Sequence, residues 1–225
     1  GDIWPTVDEI DNALEVAGRI KCRAALVISS GLNAEAASRL HATAKRHQLH
    51  LLGPNCNGFQ RPHQKLNASI IGTMAKPGPL ALLSQSGALT ASTLDWAQSS
   101  GVGFSAVVSL GPNTALDIAD ALDFLASDIH THSIVIYLEG IRNARRFMSA
   151  LRAAAASKPV IVLKAGRKPA GNEAALTHSG AIVGSDDVFD AALRRAGAVR
   201  VRTFPQPFSA ARCLRPWAST RCTST

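Results

Sequence analysis

From residue 80 onward the chain alternates two kinds of pattern, and no other feature restricts its fold as much. Five short runs that are apolar almost throughout, at 80–83, 105–110, 134–138, 159–164 and 198–201, are separated by four stretches of helical periodicity. A run that is apolar at every position, rather than at every second one, buries both faces of a strand. Strands covered on both sides and joined by helices predict an α/β fold built on a parallel, doubly wound sheet. The helices carry their own signals. Ser86 can cap the first, Thr114 with Asp117 the second and Ser185 the last, while Phe147, Met148, Leu151 and Ala155 give the third an apolar face.

Ahead of this block, Thr6 and Glu9 have the spacing of a capping box, and Ile10, Ala13, Leu14 and Ala17 recur at helical spacing behind them. A short apolar run from Ala24 to Ser29, a helix over about 34–47 and a second short run at 50–52 complete one βαβ-like unit. Three such elements cannot close a core. Residues 1–52 are therefore expected to be the trailing part of a larger α/β domain whose leading strands are absent, the chain opening on Gly1 rather than Met. Residues 53–79 hold Gly, Pro and Asn with little periodicity and read as a connection between domains. The second domain is predicted over 80–204. Residues 205–225 form an irregular tail that reads either as a frayed end or as a shifted reading frame.

Composition excludes several functional classes. The net charge is +8, but Arg200, Arg202, Arg212, Arg215 and Arg221 fall in the last 26 residues with no acid among them, which leaves +3 for the rest. That is too little and too dispersed for a nucleic-acid stripe, and a single Tyr supplies no aromatic interleaving. No apolar run approaches the roughly 20 residues that a membrane span needs, which predicts a soluble chain. Cys22, Cys56, Cys213 and Cys222 show neither a CxxC pair nor a metal spacing and read as free thiols of a reducing, cytoplasmic compartment.

Ligands of open parallel sheets bind at the carboxyl ends of the strands, near the point where strand order reverses. After the first strand of the block comes SQSGALT, residues 84–90, a tight strand-to-helix turn whose free N–H groups suit an anion. Taken alone, Ser86 need be no more than an N-cap. The third strand runs out into Glu139 and Gly140, where Glu139 is either functional or a plain loop acid. About twenty residues follow Lys164 before the next helix, which is long for such a connection, and they contain His178 among small residues. With strand order 2-1-3-4-5, the first, third and fourth strands are neighbours, and the turn, Glu139 and His178 converge. A neutral imidazole is a competent nucleophile toward phosphorus when an acceptor such as Glu139 holds its other N–H. Backbone donors at Ser86 and Gly87 would stabilise the arriving charge.

Four segments taken together, LLGPNCNG at 51–58, SQSGALT, YLEG at 137–140 and THSGAIVGSDDVFDAALRRAGAVRV at 177–201, resemble the NDP-forming acyl-CoA synthetases. These include the ADP-forming acetyl-CoA synthetases and are similar to the α subunit of succinyl-CoA synthetase. The resemblance covers about residues 5–212. It implies part of a Rossmann-like CoA-binding domain followed by a flavodoxin-like domain that carries a phosphohistidine. It sets His178 on that histidine, Glu139 on its carboxylate partner, and Ser84, Ser86 and Gly87, with Ser179 and Gly180, on the phosphate site. Gly53, Pro54 and Asn55 match a loop near the thiol end of CoA. The implied reaction is acyl-CoA, phosphate and NDP to carboxylate, CoA and NTP, by way of an acyl phosphate.

Coenzyme A or acyl-CoA is the implied substrate. ATP or ADP with Mg would enter through an ATP-grasp domain or subunit that this chain lacks, and the chain itself would bind no metal. Residues 66–69, 94–98 and 144–151 also resemble the synthetase-like half of bacterial protein lysine acetyltransferases. There a GNAT domain follows, and the alternative role is regulatory binding of acyl-CoA. A flavin-binding domain would want aromatic residues in the strand-end loops, which offer only Tyr137, set back within its strand. Unpaired strands in 1–52 would expose an edge and an apolar face, which leaves room for an oligomer.

Overall fold

The computed structural model describes residues 5–111, 114–165 and 186–203. Helix α1 (Val7–Arg19) starts at Thr6, whose hydroxyl accepts from the Glu9 N–H while the Glu9 carboxylate accepts from the Thr6 N–H, the reciprocal cap that the sequence predicts. Strand β1 (Ala24–Leu26), helix α2 (Ala34–Arg46) and strand β2 (His50–Leu52) follow, and β1 pairs in parallel with β2. Ile10 and Leu14 of α1 meet Leu40 and Ala44 of α2, and with Val27, Leu49 and Leu51 they form a small core of their own.

The five predicted strands of the main block are β5 (Pro77–Ser84), β6 (Phe104–Ser109), β7 (Ser133–Leu138), β8 (Val160–Lys164) and β9 (Val199–Val201). They pair in parallel in the order β6-β5-β7-β8-β9, which is 2-1-3-4-5. Helices α3 (Gly87–Ser100), α4 (Ile118–Ser127), α5 (Ala144–Ser157) and α6 (Asp186–Arg195) lie between them in the chain. Alternate strand residues feed opposite layers. Ala81, Leu83, Ile134, Ile136, Val160 and Val162 pack with Leu122 and Leu125 of α4, Leu151 of α5 and Leu193 of α6. Leu82, Val135, Ile161 and Leu163 face Leu94 and Ala97 of α3. This two-sided burial is why the strands are apolar throughout, and each buried Leu or Ile contributes about 1.5–3 kcal/mol.

Three local expectations are corrected. The stretch from 53 to 79 is more than a connection: β3 (Gly58–Arg61) and β4 (Leu66–Ser69) form an antiparallel pair, and β3 joins the edge of β6, also antiparallel. Hydrophobic periodicity missed β3 because the residues it buries are Gly58 and Gln60. The Gln60 amide is satisfied instead by donating to Thr73 O at 2.9 Å and accepting from Ala75 N at 2.9 Å. Helix α4 is capped by Asp117, in a reciprocal box with Asp120, rather than by Thr114. Its competitor is occupied elsewhere, because the Thr114 hydroxyl accepts from Gly53 N at 2.9 Å. On α5, Ala150 and Ala154 join Phe147 and Leu151 in the core, with Met148 and Ala155 only partly covered. Ser185 and the tail 205–225 lie outside the described residues.

Candidate active site

Strand order reverses between β5 and β7, and the polar groups collect at their carboxyl ends. Ser84 stands opposite Tyr137 in the ladder. Beyond it the chain turns sharply into α3, whose cap is the predicted Ser86: its hydroxyl accepts from Leu89 N at 3.3 Å. The N–H groups of Gly87 and Ala88, at the first two positions of the helix, have no intrahelical acceptor and carry the positive end of its dipole. Ser84 has a different part from the one expected. It is fully buried, its hydroxyl donates to Ser86 O at 2.9 Å and accepts from Ser86 N at 3.1 Å, so it shapes the turn and presents nothing to a ligand.

Across the crevice, Glu139 is the first residue past β7. The two strand ends are tied by Gln85, which sequence reasoning passed over. Its backbone N–H donates to Tyr137 O at 3.2 Å, its Oε1 accepts from Glu139 N at 2.7 Å and Gly140 N at 3.0 Å, and its Nε2 donates to Gly140 O at 3.0 Å. The Glu139 carboxylate is close enough to Tyr137 that burial first, and that charge second, push the phenol up from its usual range.

A second residue missed from sequence sits over the helix start. A Cβ on Gly87 would lie 2.6 Å from Asn57 Nδ2, so the Asn57 side chain rests directly on the first residue of α3, and only glycine permits that approach. The expected loop residues Gly53, Pro54 and Asn55 lie one step farther back. Gly53 donates to Thr114, Asn55 N donates to Ser29 O at 3.0 Å, and Asn55 Nδ2 donates to Leu32 O at 3.1 Å. A Cβ on Gly111 would fall 1.7 Å from Asn55 O. The loop thus wedges the first unit against the end of β6 and carries Asn57 to the site. Cys56, next to it, is buried, and burial pushes its thiol up, so it is no ready nucleophile.

On the side of α4, Gln85, Gly111, Thr114, Asp117, Gly140 and Arg142 line a narrow cleft of about 30 Å³, room for about one water. The Arg142 guanidinium donates to the Thr114 carbonyl across it. At the end of β8, Lys164 is buried with Nζ 3.8 Å from Asp186, and Asp186 also receives Arg200 at 2.5 Å. Burial pulls the Lys164 ammonium down, Asp186 opposes, and Arg200 adds to the fall. Lys164 and Asp186 bracket the segment that holds His178, Ser179 and Gly180, which lie outside the described residues. Among the described residues no group of three or more His, Cys, Asp or Glu is placed to hold a metal ion, and no helix is long and apolar enough to cross a membrane.

The family model of the succinyl-CoA ligase like flavodoxin domain matches residues 77–214, from the first residue of β5 to beyond β9. The chain belongs to this succinyl-CoA ligase-like family. It is 39% identical over 211 residues to the α subunit of acetate–CoA ligase [ADP-forming] I of Pyrococcus furiosus, covering 91% of this chain and 46% of that protein. To the 4-hydroxybutyrate–CoA ligase [ADP-forming] of Nitrosopumilus maritimus it is 38% identical over 205 residues, 87% of this chain and 29% of that one. Among solved structures, the dinucleotide-forming acetyl-coenzyme A synthetase 1 of Ca. Korarchaeum cryptofilum, in complex with phosphate and ADP, superposes with a TM-score of 0.87 at 31% identity. That alignment covers 93% of this chain and 46% of the other. The succinyl-CoA ligase-like chain described here thus spans less than half the length of these relatives.

Proposed function

We propose that this chain is the CoA-ligase portion of an ADP-forming acyl-CoA synthetase of the acetate–CoA ligase type. The observation that carries the reading is the pairing, at adjacent strand ends, of a capped helix N-terminus with a glutamate. The start of α3 and Glu139 stand just past the adjacent ends of β5 and β7, and Gln85 ties the two ends together. Phosphate would attack acyl-CoA to give acyl phosphate and release CoA. The His178 imidazole would then attack phosphorus, forming an N–P bond as the P–O bond to the carboxylate breaks. The proton on the other ring nitrogen stays there, held by Glu139. The N–H groups of Gly87 and Ala88 are suited to the phosphoryl oxygens, and because they are fixed in the helix they stabilise charge without reorganising.

Transfer from phosphohistidine to ADP would need an ATP-grasp partner, a role supported by the relative that is itself an α subunit. A reducing, cytoplasmic compartment would suit Cys22 and Cys56, which are free thiols among the described residues. Incubation with [32P]acetyl phosphate tests the reading without needing CoA. An acid-labile, base-stable label that disappears in His178→Asn is expected. Label that persists in that variant, or none in the folded parent, would refute it. The second outcome is what a purely regulatory acyl-CoA-binding module attached to an acetyltransferase would give.

A further inference from the structure

The two residues that follow β7 have left the parallel ladder, so their backbone polar groups must find partners elsewhere. A single side chain from the neighbouring strand end serves three of them. Gln85 Oε1 takes the N–H groups of both Glu139 and Gly140, and its Nε2 gives a bond to Gly140 O. Both ends of the amide are thereby used, in one orientation, and the residue is anchored a second time through its own N–H to Tyr137 O. It is also the residue immediately before the Ser86 cap. The same four-atom reach therefore fixes where Glu139 leaves the sheet and where α3 begins.

We infer that Gln85 is a positioning residue that sets the Glu139 carboxylate against the phosphate-binding start of α3. The inference rests on the reading of Glu139 as the partner of His178. Chemistry explains why an amide stands there. A glutamate could still accept from the two N–H groups, but it would lose the donor to Gly140 O, set a carboxylate against that carbonyl, and bring negative charge to a site built for an anion. An apolar residue would leave all three backbone groups without this partner, and the end of β7 would be free to drift from α3.

Single-turnover labelling by [32P]acetyl phosphate at saturating concentration separates the roles. Gln85→Met and the isosteric Gln85→Glu should slow labelling about tenfold to a hundredfold, the usual cost of a misplacement near 1 Å. The final stoichiometry of label should stay that of the parent. A purely structural defect would lower the labelled fraction instead. Glu139→Gln should also be slow, and Gln85→Met combined with Glu139→Gln should be within about twofold of Glu139→Gln alone, because Gln85 acts through Glu139. Parent-like rates in both Gln85 variants, or losses that multiply in the double variant, would overturn the inference while leaving the site intact. Parent-like labelling in Glu139→Gln or in His178→Asn would instead refute the reading beneath it, and the inference with it. Gln85→Glu keeps the size and two of the three bonds, so the test stands even where Gln85→Met fails to fold.

Discussion

Asp128→Ala should be among the most damaging single changes at the amino end of the sheet, and its cost can be worked from the contacts. The Asp128 side chain is 7% exposed and accepts from Arg61 Nη2 at 2.9 Å and from the Thr131 hydroxyl at 2.6 Å. Thr131 in turn bonds Ser105 on β6 at 2.8 Å. Removing the carboxylate leaves a guanidinium that is only 12% exposed with Gln64 Oε1, 3.3 Å from its Nε, as its side-chain acceptor, and breaking a buried pair from one side costs about 3–5 kcal/mol. Arg61 keeps a place over the Phe124 ring, 4.9 Å away, worth about 0.5–1 kcal/mol, so the lower end, near 3 kcal/mol, is expected. Arg61→Met combined with Asp128→Leu should lose less than Asp128→Ala alone, since no charge is left unpaired. Urea unfolding at pH 7 with an unchanged m-value measures both variants against the parent. The pH dependence gives a second check. Burial raises the Asp128 carboxyl, but its bonds to Thr131 and Arg61 outweigh this and leave it below its ordinary 3.8. A carboxyl lowered by folding contributes its full stability above the ordinary value and loses it as pH falls through the folded one. The advantage of the parent over Asp128→Asn should therefore be constant above about pH 5 and shrink below pH 4. A loss under about 1 kcal/mol for Asp128→Ala, or an advantage that grows in acid, would refute the argument.

Gly111→Ala would force the carbonyl of Asn55, 1.7 Å from the new Cβ, to withdraw. A destabilisation of about 1–3 kcal/mol is expected, with faster proteolytic cleavage near residues 53–57 than in the parent. Ser86→Ala removes the acceptor for Leu89 N and should cost about 0.5–2 kcal/mol in thermal unfolding, while Ser86→Asp restores the cap but repels an incoming phosphoryl group and should recover stability without recovering label. Alkylation followed site by site with mass spectrometry should modify exposed Cys22 readily and buried Cys56 slowly, its thiol being held protonated by burial. Equal rates would contradict the packing of the 53–57 loop.

What could be read in advance, and what could not, divides along a physical line. Periodicity and caps are local, so the five strands of the main block, the Thr6 box and the Ser86 cap stood in the sequence, while the order 2-1-3-4-5 entered only as the common arrangement and is the one the sheet has. β3 escaped because it buries a glutamine and a glycine, a choice that makes sense only once Thr73 and Ala75 are seen to satisfy the amide. Thr114 with Asp117 read as one cap. The box is instead Asp117 with Asp120, and the Thr114 hydroxyl serves the N–H of Gly53, 61 residues away in the chain.

Gln85 shows that even a long-range contact can be reached by reasoning when two general facts are combined. In a 2-1-3 order the first and third strands are neighbours. Their parallel register puts Ser84 opposite Tyr137, so the residue after Ser84 faces the stretch where β7 runs out. Backbone groups there have left the ladder and need partners. A side chain with both a donor and an acceptor, long enough to cross one strand spacing of about 4.8 Å, is what position 85 then requires. Serine is too short, and lysine and glutamate each lack half of the pairing. The amide at 85 thus fits what the topology asks of that position, and through it the backbone of Glu139 and Gly140 is held at the end of β7.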